Sequence, residues 1–200
     1  MTGVASSGTG GATEPPGTLN IPNTLTVLRL LLVPVFVVLL VQRSGTSDAY
    51  RIAAWAVFAL ACVTDVVDGD LARRRGSVTE FGKLVDPIAD KALTGAALVT
   101  LSALGDLPWW LTVVVLVREF GVTGLRLWVI RHGVIPASRG GKVKTLLQDV
   151  AIGLFVLPHP GVLAVLPWAV MVPALVITLA TGGDYVARAL RLRREARAQR

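Results

Sequence analysis

Six apolar runs occupy most of this 200-residue chain: Leu25–Val41, Ile52–Asp68, Leu84–Leu104, Trp109–Ile130, Val143–Leu157 and Leu163–Ala180. A membrane-spanning helix needs about 20 mainly apolar residues, with a range near 17–25. The fifth run is short and borrows flanking residues; Pro158 and Pro160 mark the turn after it. The expected fold is all-α, an integral membrane bundle of six transmembrane helices. Composition agrees, with 53% hydrophobic and only 16% charged residues and a mean hydropathy of +0.64. The net charge of +7 sits between apolar runs rather than on a polar surface, which argues against a nucleic-acid partner. Cys62 is the only cysteine. It lies in an apolar run, excludes an intrachain disulfide and is read as a packing residue.

Charge sets the orientation. Basic residues cluster after the second run (Arg73, Arg74, Arg75, Lys83), after the fourth (Arg131, Arg139, Lys142, Lys144) and in the C-terminal segment, which includes Arg188, Arg191, Arg193 and Arg194. The alternate connections carry only Arg43 and Arg51. The positive-inside rule then puts both termini and both basic loops in the cytoplasm. Residues 1–18 are rich in Gly, Ser, Thr and Pro and read as a disordered tail. They lack the basic start and early apolar core of a signal peptide. Residues 19–183 form the six-helix domain, preceded at Leu19–Thr24 by an interfacial lead-in, and 184–200 a basic cytoplasmic tail.

Four aspartates fall at the cytoplasmic end of the second and third spans, in the pattern D-x2-D-G-x2-A-R-x8-G-x3-D-x3-D from Asp65 to Asp90. A carboxylate in a membrane segment costs a few kcal/mol even on lenient scales, so the group calls for cations. Asp65 and Asp68 share one helical face, as do Asp86 and Asp90. The latter pair also gains from the N-terminal helix dipole. Carboxylate oxygens suit hard divalent ions, with substrate phosphate completing the shell. Four carboxylates can hold two such ions, and a two-metal site favours in-line displacement at phosphorus. One carboxylate can remain as general base. Gly69, Ala72 and Gly82 allow close approach of a ligand, and Arg73 offers a fork for phosphate.

This pattern resembles, position for position, the signature of the CDP-alcohol phosphatidyltransferase family. The resemblance spans about Asn20 to Thr181. It implies a membrane enzyme, usually a homodimer, in the inner membrane of a bacterium, with two divalent cations, Mg²⁺ or Mn²⁺. It implies transfer of a phosphatidyl group from CDP-diacylglycerol to an alcohol, with release of CMP. Carried over, Asp65, Asp68 and Asp86 are metal ligands. Asp90 is the base, sometimes also touching metal. Asp68, Gly69, Ala72, Arg73 and Gly82 line the nucleotide. The segments NIPNTLTVLRLLLVPVF (Asn20–Phe36), REFGVTGLR (Arg118–Arg126) and GKVKTLLQ (Gly141–Gln148) look like those of family members whose acceptor is sn-glycerol 3-phosphate. The alternative acceptors are phosphatidylglycerol, as in cardiolipin synthesis, inositol phosphate and serine.

A small dianionic acceptor needs cations near the metals. Arg118, Glu119 and Arg126 fall within one arc of the fourth helix, with Glu119 neutralising one of the arginines. Together with Arg139, Lys142 and Lys144 nearer the mouth, Arg118 and Arg126 are the expected acceptor-phosphate contacts. Arg29, Lys91 and Asp149 are further intramembrane charges, with Asp149 a possible partner for Lys91. His132 and His159 lack metal-ligand company. GGKVKT lacks the P-loop spacing. No Ser, Cys or His has the partners of an activated nucleophile, so direct attack is preferred. A divalent-cation transporter is the rival from another class, but it predicts carboxylates spread in depth over several helices.

Overall fold

The computed structural model describes residues 21–75, 80–129, 139–158 and 161–198. It is all-helical over these residues, with α1 at Ile21–Val41, α2 at Asp48–Arg75, α3 at Glu80–Ala103, α4 at Trp109–Val129, α5 at Arg139–Val156 and α6 at Val165–Ala198. Short 3-10 turns at Gln42–Gly45 and Gly161–Ala164 lead into α2 and α6. Each apolar run read from the sequence contains or forms one helix, but several helices run further. α2 continues past the aspartates through D-L-A-R-R-R, and α6 continues through A-R-A-L-R-L-R-R-E-A-R-A. These are good helix formers with no internal stop, and the Asp184–Arg188 pair at 2.9 Å spans one turn of the extension. The backbone of 184–198 is therefore a prolongation of α6 rather than a separate tail.

Among the described residues, three stretches are long and apolar enough to cross a membrane: Thr24–Gly45, Asp48–Val66 and Val165–Arg191. They belong to α1, α2 and α6. Helices α3, α4 and α5 carry more charge along their length, among it Asp90, Lys91, Arg118, Glu119, Lys144 and Asp149. α3 packs against α1, α4, α5 and α2, while α6 packs on α4 and α5.

The apolar core lies at one end of the bundle. It takes Phe36 and Leu40 from the end of α1 and Ala54, Phe58 and Ala61 from the start of α2. It adds Leu98 and Leu101 late in α3, Leu111 early in α4, Ile152 and Val156 late in α5, and Met171 early in α6. Buried alanines let these helices approach closely. Gly153 serves the same end, since a Cβ there would meet Trp55 Nε1 at 3.4 Å. Phe36 and Phe58 stack at a tilt, with centroids 5.6 Å apart. Ser102 and Thr112 share a 2.7 Å hydrogen bond that joins α3 to α4. The aspartates lie at the opposite end, beyond this core.

Arg51 closes the core end. Its Nε donates to the Val156 carbonyl at 2.9 Å, Nη1 to the Gly45 carbonyl at 3.0 Å, and Nη2 to the Phe155 carbonyl and to Asp106 Oδ2, both at 2.7 Å. Carbonyls at a helix C-terminus have no intrahelical partner, and a cation there also meets the negative end of the dipole. Arg51 thus ties α2 to α5, to the α1–α2 turn and to the α3–α4 connection. This explains a basic residue on a connection otherwise poor in them. The α1–α2 turn is left-handed at Arg43, Ser44 and Gly45, and a Cβ at Gly45 would fall 2.8 Å from Leu104. Arg51→Ala is expected to destabilise the protein by about 2 kcal/mol, the scale of charge-assisted hydrogen bonds. The check is a lower thermal unfolding midpoint in detergent, with Arg51→Lys falling between the two.

Candidate active site

Two of the four aspartates have described side chains, and they approach each other across the α2–α3 pair. Asp65 on α2 and Asp90 on α3 are close enough for their charges to repel. Arg29 on α1 meets the first of them, with Nη1 2.5 Å from Asp65 Oδ1. The arginine is 1% exposed whereas the Asp65 side chain is 45% exposed, so the carboxylate faces outward over a buried cation. Asp149, from α5, lies within electrostatic reach of Asp90, Asp65, Lys144 and Glu119. It makes no ion pair with Lys91, contrary to the pairing the sequence suggested. The side chains of Asp68, Gly69, Ala72, Arg73, Gly82, Asp86, Arg126, Arg139 and Lys142 lie outside the described residues, as do His132 and His159. Cys62 packs against the apolar core, as expected of it.

A small pocket opens beside Asp90, between α3, α4 and α5. Its lining includes Asp90, Lys91, Thr94, Glu119, Lys144 and Gln148. Lys144 is buried, not at an open mouth, and its Nζ contacts Glu119 Oε1. Glu119 also accepts from Arg118 Nη1 at 2.9 Å. The sequence pattern points Arg118 toward this cavity, but its guanidinium turns to α6. Its Nε donates to the Thr178 carbonyl at 3.1 Å, and Nη2 to Thr181 Oγ1 at 2.8 Å. Gly182 makes room, because a Cβ there would sit 3.2 Å from Arg118 Cγ. Glu119 is thus the anion between two cations; it joins α4 to α5, while Arg118 joins α4 to α6.

Gln148 was not singled out from sequence as a contact residue. It follows Lys144 by one turn of α5, the only sequence signal that places the two on one face. Among the described residues, no group of three or more His, Cys, Asp or Glu side chains forms a metal-binding cluster. The described part of the donor set still suits a hard divalent ion. It consists of carboxylate oxygens that repel each other, with Asp65 reaching outward.

These features define a helical membrane protein with a carboxylate site at one end of its bundle. The sequence pattern of the CDP-alcohol phosphatidyltransferase family matches residues 19–180. The chain belongs to that family, whose members use divalent metal. It is 62% identical over 172 residues to the "Probable phosphatidylglycerophosphate synthase" of Mycobacterium tuberculosis (strain ATCC 25618 / H37Rv), covering 86% of this chain and 82% of the relative. It is 36% identical over 182 residues to the CDP-diacylglycerol--glycerol-3-phosphate 3-phosphatidyltransferase of Bacillus subtilis (strain 168), covering 84% and 94%. With the protein of the same name from Rickettsia felis it shares 39% identity over 143 residues, covering 71% and 77%.

The buried charge group makes a prediction about stability. Glu119→Gln leaves Arg118 and Lys144 without their shared anion and should cost about 3 kcal/mol. Adding Lys144→Met should recover part of that loss, because it removes one orphaned cation. Thermal unfolding of both variants checks the sign; a double variant less stable than Glu119→Gln alone contradicts this account.

Proposed function

We propose that this chain transfers the phosphatidyl group of CDP-diacylglycerol to sn-glycerol 3-phosphate, yielding phosphatidylglycerophosphate and CMP. The observation that carries the reading is the cavity with Asp90 on one wall and the buried Lys144–Glu119 pair on the other. A base and a cation facing one small space suit an acceptor with a hydroxyl at one end and a phosphate at the other. The names of the relatives supply the same donor and acceptor.

In this reading Asp65, Asp68 and Asp86 hold two divalent cations, Mg²⁺ or Mn²⁺, with Asp90 at their edge. When bound, such ions polarise the phosphoryl group and stabilise the charge on the departing oxygen. Gly69, Ala72, Arg73 and Gly82 line the nucleotide next to Asp68. Asp90 takes the proton of the acceptor's 1-hydroxyl. The freed oxygen forms its bond to the phosphatidyl phosphorus as the bond from that phosphorus to the CMP oxygen breaks. Lys144 supplies positive charge for the acceptor phosphate, and Arg118 acts from behind by holding Glu119. Arg126, Arg139 and Lys142 add positive charge on the approach. Two cations around one carboxylate leave a surplus of positive charge for a dianion. The protein works as a homodimer with six spans in a bacterial inner membrane. Its site opens to the cytoplasm, where nucleotide and acceptor are dissolved and acyl chains enter from the leaflet.

Asp90→Asn is expected to keep the fold and CDP binding and to lower CMP release by about 100-fold or more, the scale of general-base loss. Near-normal turnover by this variant would contradict the base assignment. Chelation of divalent ions should stop CMP release and added Mg²⁺ or Mn²⁺ should restore it. Offering sn-glycerol 3-phosphate, phosphatidylglycerol, inositol phosphate and serine in turn, with labelled CDP-diacylglycerol, tests the acceptor. Only the first is expected to give product at a useful rate.

A further inference from the structure

Gln148 is 3% exposed, lines the cavity beside Asp90, and its Oε1 has no hydrogen-bond partner in the structure. A buried carbonyl oxygen left unpaired is unfavourable, and such groups in native proteins are rare and call for an explanation. Helix adhesion does not explain it, since a polar residue that joins helices does so by hydrogen-bonding across them. The residue stands one turn deeper than Lys144 on α5, and one turn before Ile152 of the apolar core. It therefore forms the floor of the cavity, where polar lining gives way to core.

We infer that Gln148 is a specificity-determining residue that accepts a hydrogen bond from the secondary hydroxyl of the acceptor. This rests on the acceptor being a glycerol phosphate, as proposed above. Its chemistry selects the hydroxyl over the phosphate. An amide oxygen repels phosphate oxygens but accepts an O–H, and the phosphate has Lys144 nearby on the same helical face. Glycerol 3-phosphate has three polar groups on three carbons. With the terminal hydroxyl at Asp90 and the phosphate at Lys144, the central hydroxyl is the group left to meet the floor. A site built to bond a substrate hydroxyl discriminates strongly against an analogue without it, because its own polar group is then left unpaired.

The test compares two acceptors by CMP release from CDP-diacylglycerol, using the full chain in lipid–detergent micelles with Mg²⁺. One is sn-glycerol 3-phosphate and the other 3-hydroxypropyl phosphate, which lacks only the secondary hydroxyl. The unsubstituted protein should prefer the first in kcat/KM by about tenfold or more. Gln148→Met keeps the volume and removes the acceptor oxygen. It should bring the preference to within about threefold of unity by raising KM for glycerol 3-phosphate, leaving the deoxy acceptor nearly unchanged. Gln148→Glu keeps an acceptor oxygen. Its added charge opposes both phosphates alike, so the preference should survive while both KM values rise. A Gln148→Met protein that keeps the preference, or loses activity equally with both acceptors, overturns the inference. If the unsubstituted protein releases no CMP with glycerol 3-phosphate, the proposed function fails and takes this inference with it. That outcome is seen before any variant is made.

Discussion

The meeting of Arg118, Glu119 and Lys144 inside the bundle is the interaction on which the cavity depends. Moving charges out of water is costly, and a buried ion pair rarely stabilises a fold relative to apolar side chains of the same volume. What it does provide is a fixed set of partners across neighbouring helices. Glu119 accepts from a lysine on α5 and from its own neighbour Arg118, which is in turn fixed to Thr178 and Thr181 on α6. A sliding of α5 against α4 would leave Lys144 unpaired, and a sliding of α6 would break the Arg118 hydrogen bonds to Thr178 and Thr181. The wall that carries Lys144 is thereby held against α4.

The two ends of the bundle answer to different demands. At one end the core residues of all six helices meet, and Arg51 gathers the Gly45, Phe155 and Val156 carbonyls with Asp106. That end is closed by packing and by backbone hydrogen bonds. At the other end the apolar core gives way to Arg29, Asp65, Asp90 and Asp149, with Arg29 paired to Asp65. Sites are most accurate when they stand on rigid elements whose supporting contacts lie elsewhere. Here the rigid part is the core, and Gln148 marks the border between it and the polar cavity.

Much of this was legible in the chain. The apolar runs gave the helices because a membrane segment must be continuous in sequence, and the Asp65–Asp90 spacing pointed to a candidate site carried on two consecutive helices. Helix ends were less legible, since the apolar pattern stops where α2 and α6 go on as polar helix. The partners of charged groups were legible least. Glu119 and Lys144 are 25 residues apart, and no local period relates them. The arc shared by Arg118 and Arg126 suggested a common target, yet a long side chain goes where space permits, and Gly182 opens that space toward α6. The bonds of Arg51 go mostly to carbonyls, which every residue carries and no pattern of side chains announces.

The same contrast in partners bears on how the aspartates divide their work. Asp65 sits over a buried arginine that matches its negative charge, and its side chain is 45% exposed. Asp90 makes no ion pair among the described residues. It has another carboxylate close by and opens onto the cavity. A group that must take a proton and release it again is better left without a fixed cation, because a tight partner holds it in one charge state. It must also touch the space where the hydroxyl will lie. Asp90 meets both requirements and Asp65 meets neither. The proposed division into ligand and base agrees with the surroundings of the two residues, apart from their order in the motif.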